Sequence, residues 1–153
     1  MAIEATLHMN KICFPMEMLI GRYEVEHLID GGALVVGWQP KQAIEGLLVL
    51  VPEHVVAEEL RDVDLEYSPD EVGGLYIFNR CSEMASKERC ATKLLRHALD
   101  YATQNQYHSL SSHCRTSNSW HLASKKTLQP QEARIVEGFW EKDGAVEFQR
   151  RQL

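Results

Sequence analysis

The sequence predicts one mixed α/β (α+β) domain over residues 1–153, and three observations predict it. A strand–helix–strand–helix run occupies the middle of the chain and calls for a right-handed parallel crossover. Hairpin patterns lie on both sides of that run. The 153 residues contain no internal repeat, low-complexity segment or long linker, and that is the length of one domain with an ample core.

Residues 3–9 fit a short strand. Phe14-Pro15 then opens a helical pattern, because proline at the first helical position gives up an N–H that would be unpaired anyway. Met16, Leu19, Ile20, Tyr23 and Leu28 follow at helical spacing, and Gly31-Gly32 is a left-handed stop. Ala33–Trp38 and Ala43–Val51 form an antiparallel hairpin around Gln39–Gln42. Pro52 ends it, and a short helix is predicted over 53–61. Residues 62–71 carry Asp62, Asp64, Glu66, Asp70 and Glu71 and read as an acidic surface loop.

The next strand is predicted at Val72–Phe78, followed by a polar loop over 79–88. The clearest helix is 87–105, with apolar positions 91, 94, 95, 98, 99 and 102 on the 3.6-residue period and Ser86 as N-cap. A strand at Tyr107–Cys114 and a helix at Asn118–Leu128 come next. Ala133–Trp140 and Ala145–Arg150 make a closing hairpin around Asp143-Gly144. The expected order is β-α-β-β-α-β-α-β-α-β-β.

Composition narrows the function. At 44% hydrophobic and 25% charged the chain is not of the disordered class. Its longest apolar run has six residues, Leu47–Pro52, so no membrane span is expected. No secretory leader is expected either. Net charge is −6, split as −10 over residues 1–74 and +4 over 75–153. A globally acidic chain is a poor nucleic-acid binder, although the positive half suits a phosphate-bearing ligand and the negative half a cationic one. Cys13, Cys81, Cys90 and Cys114 show no CxxC spacing, so reduced thiols and a cytoplasmic setting are expected. No metal is expected, because the adjacent His113 and Cys114 would point to opposite faces of a strand.

The central residues resemble the GCN5-related N-acetyltransferase family. The resemblance spans about residues 12–150 and is strongest at 71–77 (EVGGLYI), 89–102 (RCATKLLRHALDYA), 106–110 (QYHSL) and 118–123 (NSWHLA), with 43–47 (AIEGL) similar to the family's third strand. It implies an acyl-CoA N-acyltransferase-like fold, acetyl-CoA as co-substrate, and a primary amine on a small molecule or protein as acceptor. A second copy of the chain, as a homodimer, is also among the partners considered. In such a site a strand splays from its neighbour and frees backbone groups for the pantetheine arm, and a helix N-terminus receives the pyrophosphate. The resemblance implies that Tyr76, Ile77 and Phe78 line that arm and that Ser86, Lys87, Arg89, Cys90, Ala91 and Thr92 hold the phosphates. Asn118 matches an asparagine that contacts the arm. By spacing, Cys90 at a helix start is a candidate for a lowered thiol pKa.

The sequence departs from the family's loop pattern. Ser86 replaces a basic or amide residue, Arg89 replaces a glycine, and no glycine occurs from 75 to 137. Either Lys87 and Arg89 bind phosphate by charge, or the loop no longer binds coenzyme A in the family's manner. Glu71, six residues before Ile77, is the candidate general base, and His121 is a candidate acid because Ser124–Lys126 offer no tyrosine. The rival function is a non-catalytic binding or regulatory protein that has lost acyl-CoA binding. A third is the same chemistry with another acyl carrier.

Overall fold

The computed structural model describes residues 2–13, 20–39, 42–82, 90–117, 119–139 and 144–153. Helices α1 (Ala2–Cys13) and α2 (Arg22–Asp30) precede the hairpin β1 (Leu34–Trp38) and β2 (Gly46–Pro52). Helix α3 (Glu53–Val63), strand β3 (Gly74–Ser82), helix α4 (Cys90–Gln104), strand β4 (Ser109–Arg115) and helix α5 (Ser119–Leu128) follow, and β5 (Glu132–Val136) and β6 (Val146–Gln152) close the chain. One six-stranded sheet runs in the order β1-β2-β3-β4-β6-β5. Among the described residues its one parallel pair is β3 with β4, joined through α4 as the sequence predicts.

The face carrying α4 and α5 holds the largest core cluster, with Leu48, Leu50, Leu75, Ile77, Leu95, Leu110 and Cys114. The opposite face is covered by α3 over Val51, Tyr76, Val146 and Phe148. Beside α3, α1 lies over Leu47, Val49 and Cys81. The alternation of side chains along each strand divides these two interiors.

Four sequence expectations are corrected. Residues 3–9 are helical, because Ala5, Met9 and Cys13 recur every four residues and dock on the sheet as one stripe. The helix expected from Pro15 is present among the described residues only as Arg22–Asp30. Gly21 is its extended N-cap, and the Gly21 N–H donates to the Glu24 carboxylate at 2.6 Å. Gly32 then supplies the left-handed stop with φ +96°. The segment Asn79–Ser82 is strand rather than loop, held by β2 through the rungs Val49–Asn79 to Gly46–Ser82. Finally, Cys13 and Cys81 form a disulfide, with Cα atoms 5.9 Å apart, while Cys90 and Cys114 are buried free thiols. A pair 68 residues apart has no local spacing to announce it. Ser86, Lys87, Arg89, Asn118 and Asp143 lie outside the described residues.

Candidate active site

The parallel ladder of β3 and β4 is short. It runs from Gly74–Ser109 to Ile77–Ser112 and stops. Beyond it β3 continues to Ser82 along β2, and β4 continues to Arg115 along β6. From Phe78 and His113 onward the two strands therefore face each other without pairing, and a wedge opens in the middle of the sheet. A register shift opposite Val49 and Leu50 leaves Phe78 as the extra residue at the apex. Such a bulge bends its strand and increases its twist. Among the described residues 78–82 and 113–115 have no rungs to each other, and across the gap the His113 carbonyl accepts from the Arg80 guanidinium.

On the α3 face, at the closed end of the wedge, lies a buried polar network. Asp64, just after α3, accepts from Arg134 Nη1 at 2.9 Å and Nη2 at 2.7 Å. Its Oδ2 is also 2.8 Å from His113 Nε2. His113 Nδ1 lies 2.9 Å from the Tyr76 hydroxyl. The imidazole stacks on Phe139 with ring centroids 4.6 Å apart. Burial alone would raise the Asp64 carboxyl, but the Arg134 and His113 hydrogen bonds hold it below the usual carboxylate range. Burial pushes His113 down to about 4 against the pull of Asp64, and burial pushes the Tyr76 phenol above its ordinary range. The ionised Asp64 can only accept, so Nε2 carries the proton of the neutral ring. Nδ1 then accepts from the Tyr76 O–H. Asp64, His113 and Tyr76 thus form one directed chain of hydrogen bonds.

A second buried carboxylate supports this floor. Glu53 accepts from the Ser111 hydroxyl at 2.5 Å, from the Asp70 N–H at 2.7 Å and from Arg150 at 3.2 Å. Gly74 makes room for it, since a Cβ there would stand 2.5 Å from the Glu53 carboxyl carbon. Beside Asp64 a surface notch of about 370 Å³ is lined by residues 62–66 and 134–137, four of them acids. On the other face a groove of about 590 Å³ between α4 and α5 is lined by Thr92, Arg96, Leu99, Lys126 and Thr127. The two openings differ in charge and lie on opposite sides of the sheet.

The predicted site residues are spread across this frame. Tyr76 and Ile77 stand on the last rungs of the ladder, and Phe78 is the first residue beyond it. Cys90, Ala91 and Thr92 begin the described part of α4. Burial pushes the Cys90 thiol up to about 11, which corrects the expectation of a lowered pKa. Glu71 sits exposed in the turn before β3, at the closed end of the ladder and away from the wedge. His121 lies on α5 with Nε2 3.4 Å from Glu147 on β6. The structure does not bring Glu71 and His121 together. Sequence reasoning missed Asp64, His113 and Arg134 as a group. The available signal was the alternation of Ser109, Ser111 and His113, a polar face on a central strand, which a buried network must satisfy. Among the described residues no group of His, Cys, Asp and Glu could hold a metal ion.

No family model matches the sequence, and no curated protein matches it. Solved structures do match the fold. A chain of the NatC complex bound to Gag peptide and CoA is 10% identical, with a TM-score of 0.74 over 99% of this chain and 91% of that one. Arabidopsis thaliana NAA60 in complex with acetyl-CoA is 14% identical, with a TM-score of 0.72 over 99% and 94%. The ribosomal-protein-S18-alanine N-acetyltransferase of Escherichia coli is 13% identical, with a TM-score of 0.70 over 98% and 86%. At such identities the likeness is one of fold.

Proposed function

From this N-acetyltransferase fold we propose that the chain is an acyl-CoA-dependent N-acyltransferase that acts on a primary amine, with acetyl-CoA as the reference donor. The observation that carries the reading is the wedge between β3 and β4. A central sheet opened over several residues at its middle presents strand edges that suit an amide-rich arm.

The residues present fit that donor. Tyr76, Ile77 and Phe78 border the apex where the arm would end, and the cationic groove at Arg96 and Lys126 suits its phosphates. Cys90, Ala91 and Thr92, with Ser86, Lys87, Arg89 and Asn118, complete the binding set we propose. Acyl-coenzyme A, when bound, supplies an acyl carbon activated as a thioester. The acceptor ammonium is drawn to the acidic notch of Asp62, Asp64, Glu66 and Glu137. Only the free amine attacks, so one proton must leave first. That proton leaves to solvent through the notch, and we assign to the Tyr76 hydroxyl, which donates to His113 Nδ1 and through it is tied to Asp64, the role of accepting an N–H hydrogen bond from the neutral amine and aiming its lone pair. The amine nitrogen then forms the C–N bond as the C–S bond breaks. The nitrogen's second proton ends on the departing thiolate. This assignment gives the amine to Tyr76 and His113 in place of Glu71 and leaves His121 a positioning role beside Glu147.

The test is donor binding followed by transfer. Acetyl-CoA should raise the melting temperature, corresponding to about 2.7 kcal/mol at 100-fold excess over Kd. With an amine panel, the acyl product should be detected by mass. Tyr76→Phe should lower kcat about 10²-fold with donor affinity kept, whereas Glu71→Gln should leave turnover unchanged. Absence of any shift with acyl-CoA species would favour a non-catalytic binding protein.

A further inference from the structure

Among the described residues, Arg80, Arg134 and Arg150 of the sheet hold their guanidinium groups largely out of solvent, and the last two are neutralised. Arg134 pairs with Asp64 and lies 3.8 Å from Glu132, and Arg150 pairs with Glu53 and lies 3.7 Å from Glu132. Arg80 is the exception. It is 9% exposed, and among the described residues no carboxylate pairs with it. Its Nη2 donates to the His113 carbonyl across the wedge, and its Nη1 is buried without a hydrogen-bond partner among the described residues. A buried cation without an anion is costly and is ordinarily paired.

The position of Arg80 says which anion is missing. Arg80 sits on the unpaired stretch of β3, opposite Leu48, whose side chain belongs to the α4/α5 face. Its guanidinium reaches the first β4 residue beyond the ladder, which places it at the apex of the wedge. The last rung there ends on Ser112, on the α4/α5 side of β4, and the Ser112 hydroxyl is also buried and unpartnered among the described residues. A guanidinium edge and a hydroxyl at one narrow end match a carboxylate. The acceptor is a poor source for it, because the notch on the other face is lined by four acids and by one arginine that is already paired with Asp64. The donor phosphates are a poor source too, since a tetrahedral dianion suits the open cationic groove rather than the gap between two strands.

We propose that Arg80, with Ser112, selects a donor whose acyl group ends in a carboxylate, the monothioester of a short dicarboxylic acid. The proposal rests on the N-acyltransferase reading. Arg80 leaves the His113 carbonyl, or shares it, and turns its free edge to the acyl carboxylate, so the group transferred to the amine is acidic.

Calorimetric titration with succinyl-CoA, malonyl-CoA, acetyl-CoA and free coenzyme A tests it without knowledge of the acceptor. The wild-type protein should bind succinyl- or malonyl-CoA about 10- to 100-fold more tightly than acetyl-CoA, as expected of a charge-assisted pair. Arg80→Gln should abolish that preference and leave acetyl-CoA binding within about twofold, and Arg80→Lys should keep part of it. Equal binding of acidic and neutral acyl-CoA by the wild type overturns the proposal while leaving the parent reading intact. So does an Arg80→Gln protein that gains or loses affinity for all donors alike. Binding of no coenzyme A species overturns both. If Arg80→Gln fails to fold, the wild-type preference alone decides.

Discussion

The two faces of the sheet satisfy their polar groups in different ways. Under α3 the network that holds Asp64, His113 and Tyr76 is closed, each member bonded to another part of the chain. Under α4 and α5 the core is apolar, and Ser112 and Ser124 bury hydroxyls that have no partner among the described residues. The cysteines follow the same division, since the bonded Cys81 faces α1 while the free Cys90, on α4, and the free Cys114, on β4, share the other interior. Isolated buried hydroxyls also occur on the α3 side, at Tyr67 and Ser109, so the contrast is between a hydrogen-bonded network in one interior and an apolar core beside a cationic groove in the other.

Removing one partner from the closed face should produce the largest stability effect. Arg134→Met leaves the Asp64 carboxylate buried beside only His113 and should cost about 3–5 kcal/mol in urea denaturation. Arg96→Met on the groove face should stay within about 0.5 kcal/mol. Equal losses would break the comparison. Reduction of Cys13–Cys81 comes next, because it opens a loop of 68 residues and releases α1 from the diverging half of β3. The chain-entropy model gives a loss of up to about 4 kcal/mol. Alkylation under denaturing conditions should find two thiols before reduction and four after it.

Acid should act through the closed face as well. His113 is held at about 4, below its ordinary 6.5, by burial. Between those values the unfolded chain takes up a proton that the folded chain refuses, so stability falls as pH falls. The loss is on the order of 3 kcal/mol by pH 4. Asp64 is held below its ordinary value, so its contribution is present above about pH 4 and is lost only as pH falls further. His113→Gln should flatten the profile between pH 6.5 and 4. An unchanged slope would mean that His113 is not the group refusing the proton.

The frame of this molecule was legible because period and punctuation are local. The helix at 90–104 and the parallel pair around it follow from apolar spacing, and the closing hairpin follows from its alternation. What was illegible depends on distant partners. Asn79–Ser82 look like loop until Leu47 and Leu48 pair with them. His113 was weighed only as a metal ligand, because Asp64 and Arg134 are 49 and 70 residues apart from their partners in the network. Glu71 drew attention by its spacing before Ile77, yet Gly73 turns the chain at φ +130° and leaves the glutamate outside the strand.

The smallest expected effect belongs to the groove between α4 and α5. Arg96 and Lys126 are exposed residues on neighbouring helices, and the groove between them suits the phosphates of a donor. Exposed charges contribute little to folding, so replacing both with Ala should leave the melting temperature nearly unchanged. Ligand phosphates would sit within a few ångströms of those cations, and each exposed contact is worth about 0.5–1 kcal/mol at physiological salt. The double variant should therefore bind acyl-CoA about 5- to 30-fold more weakly. Raising ionic strength to about 1 M shortens the Debye length to about 3 Å, and the gap between wild type and variant should narrow. Dephosphorylated coenzyme A sharpens the assignment further. If the groove holds the nucleotide phosphates, removing one should weaken the wild type more than the double variant. An identical loss in both proteins would move the phosphate site away from α5, toward the residues before α4.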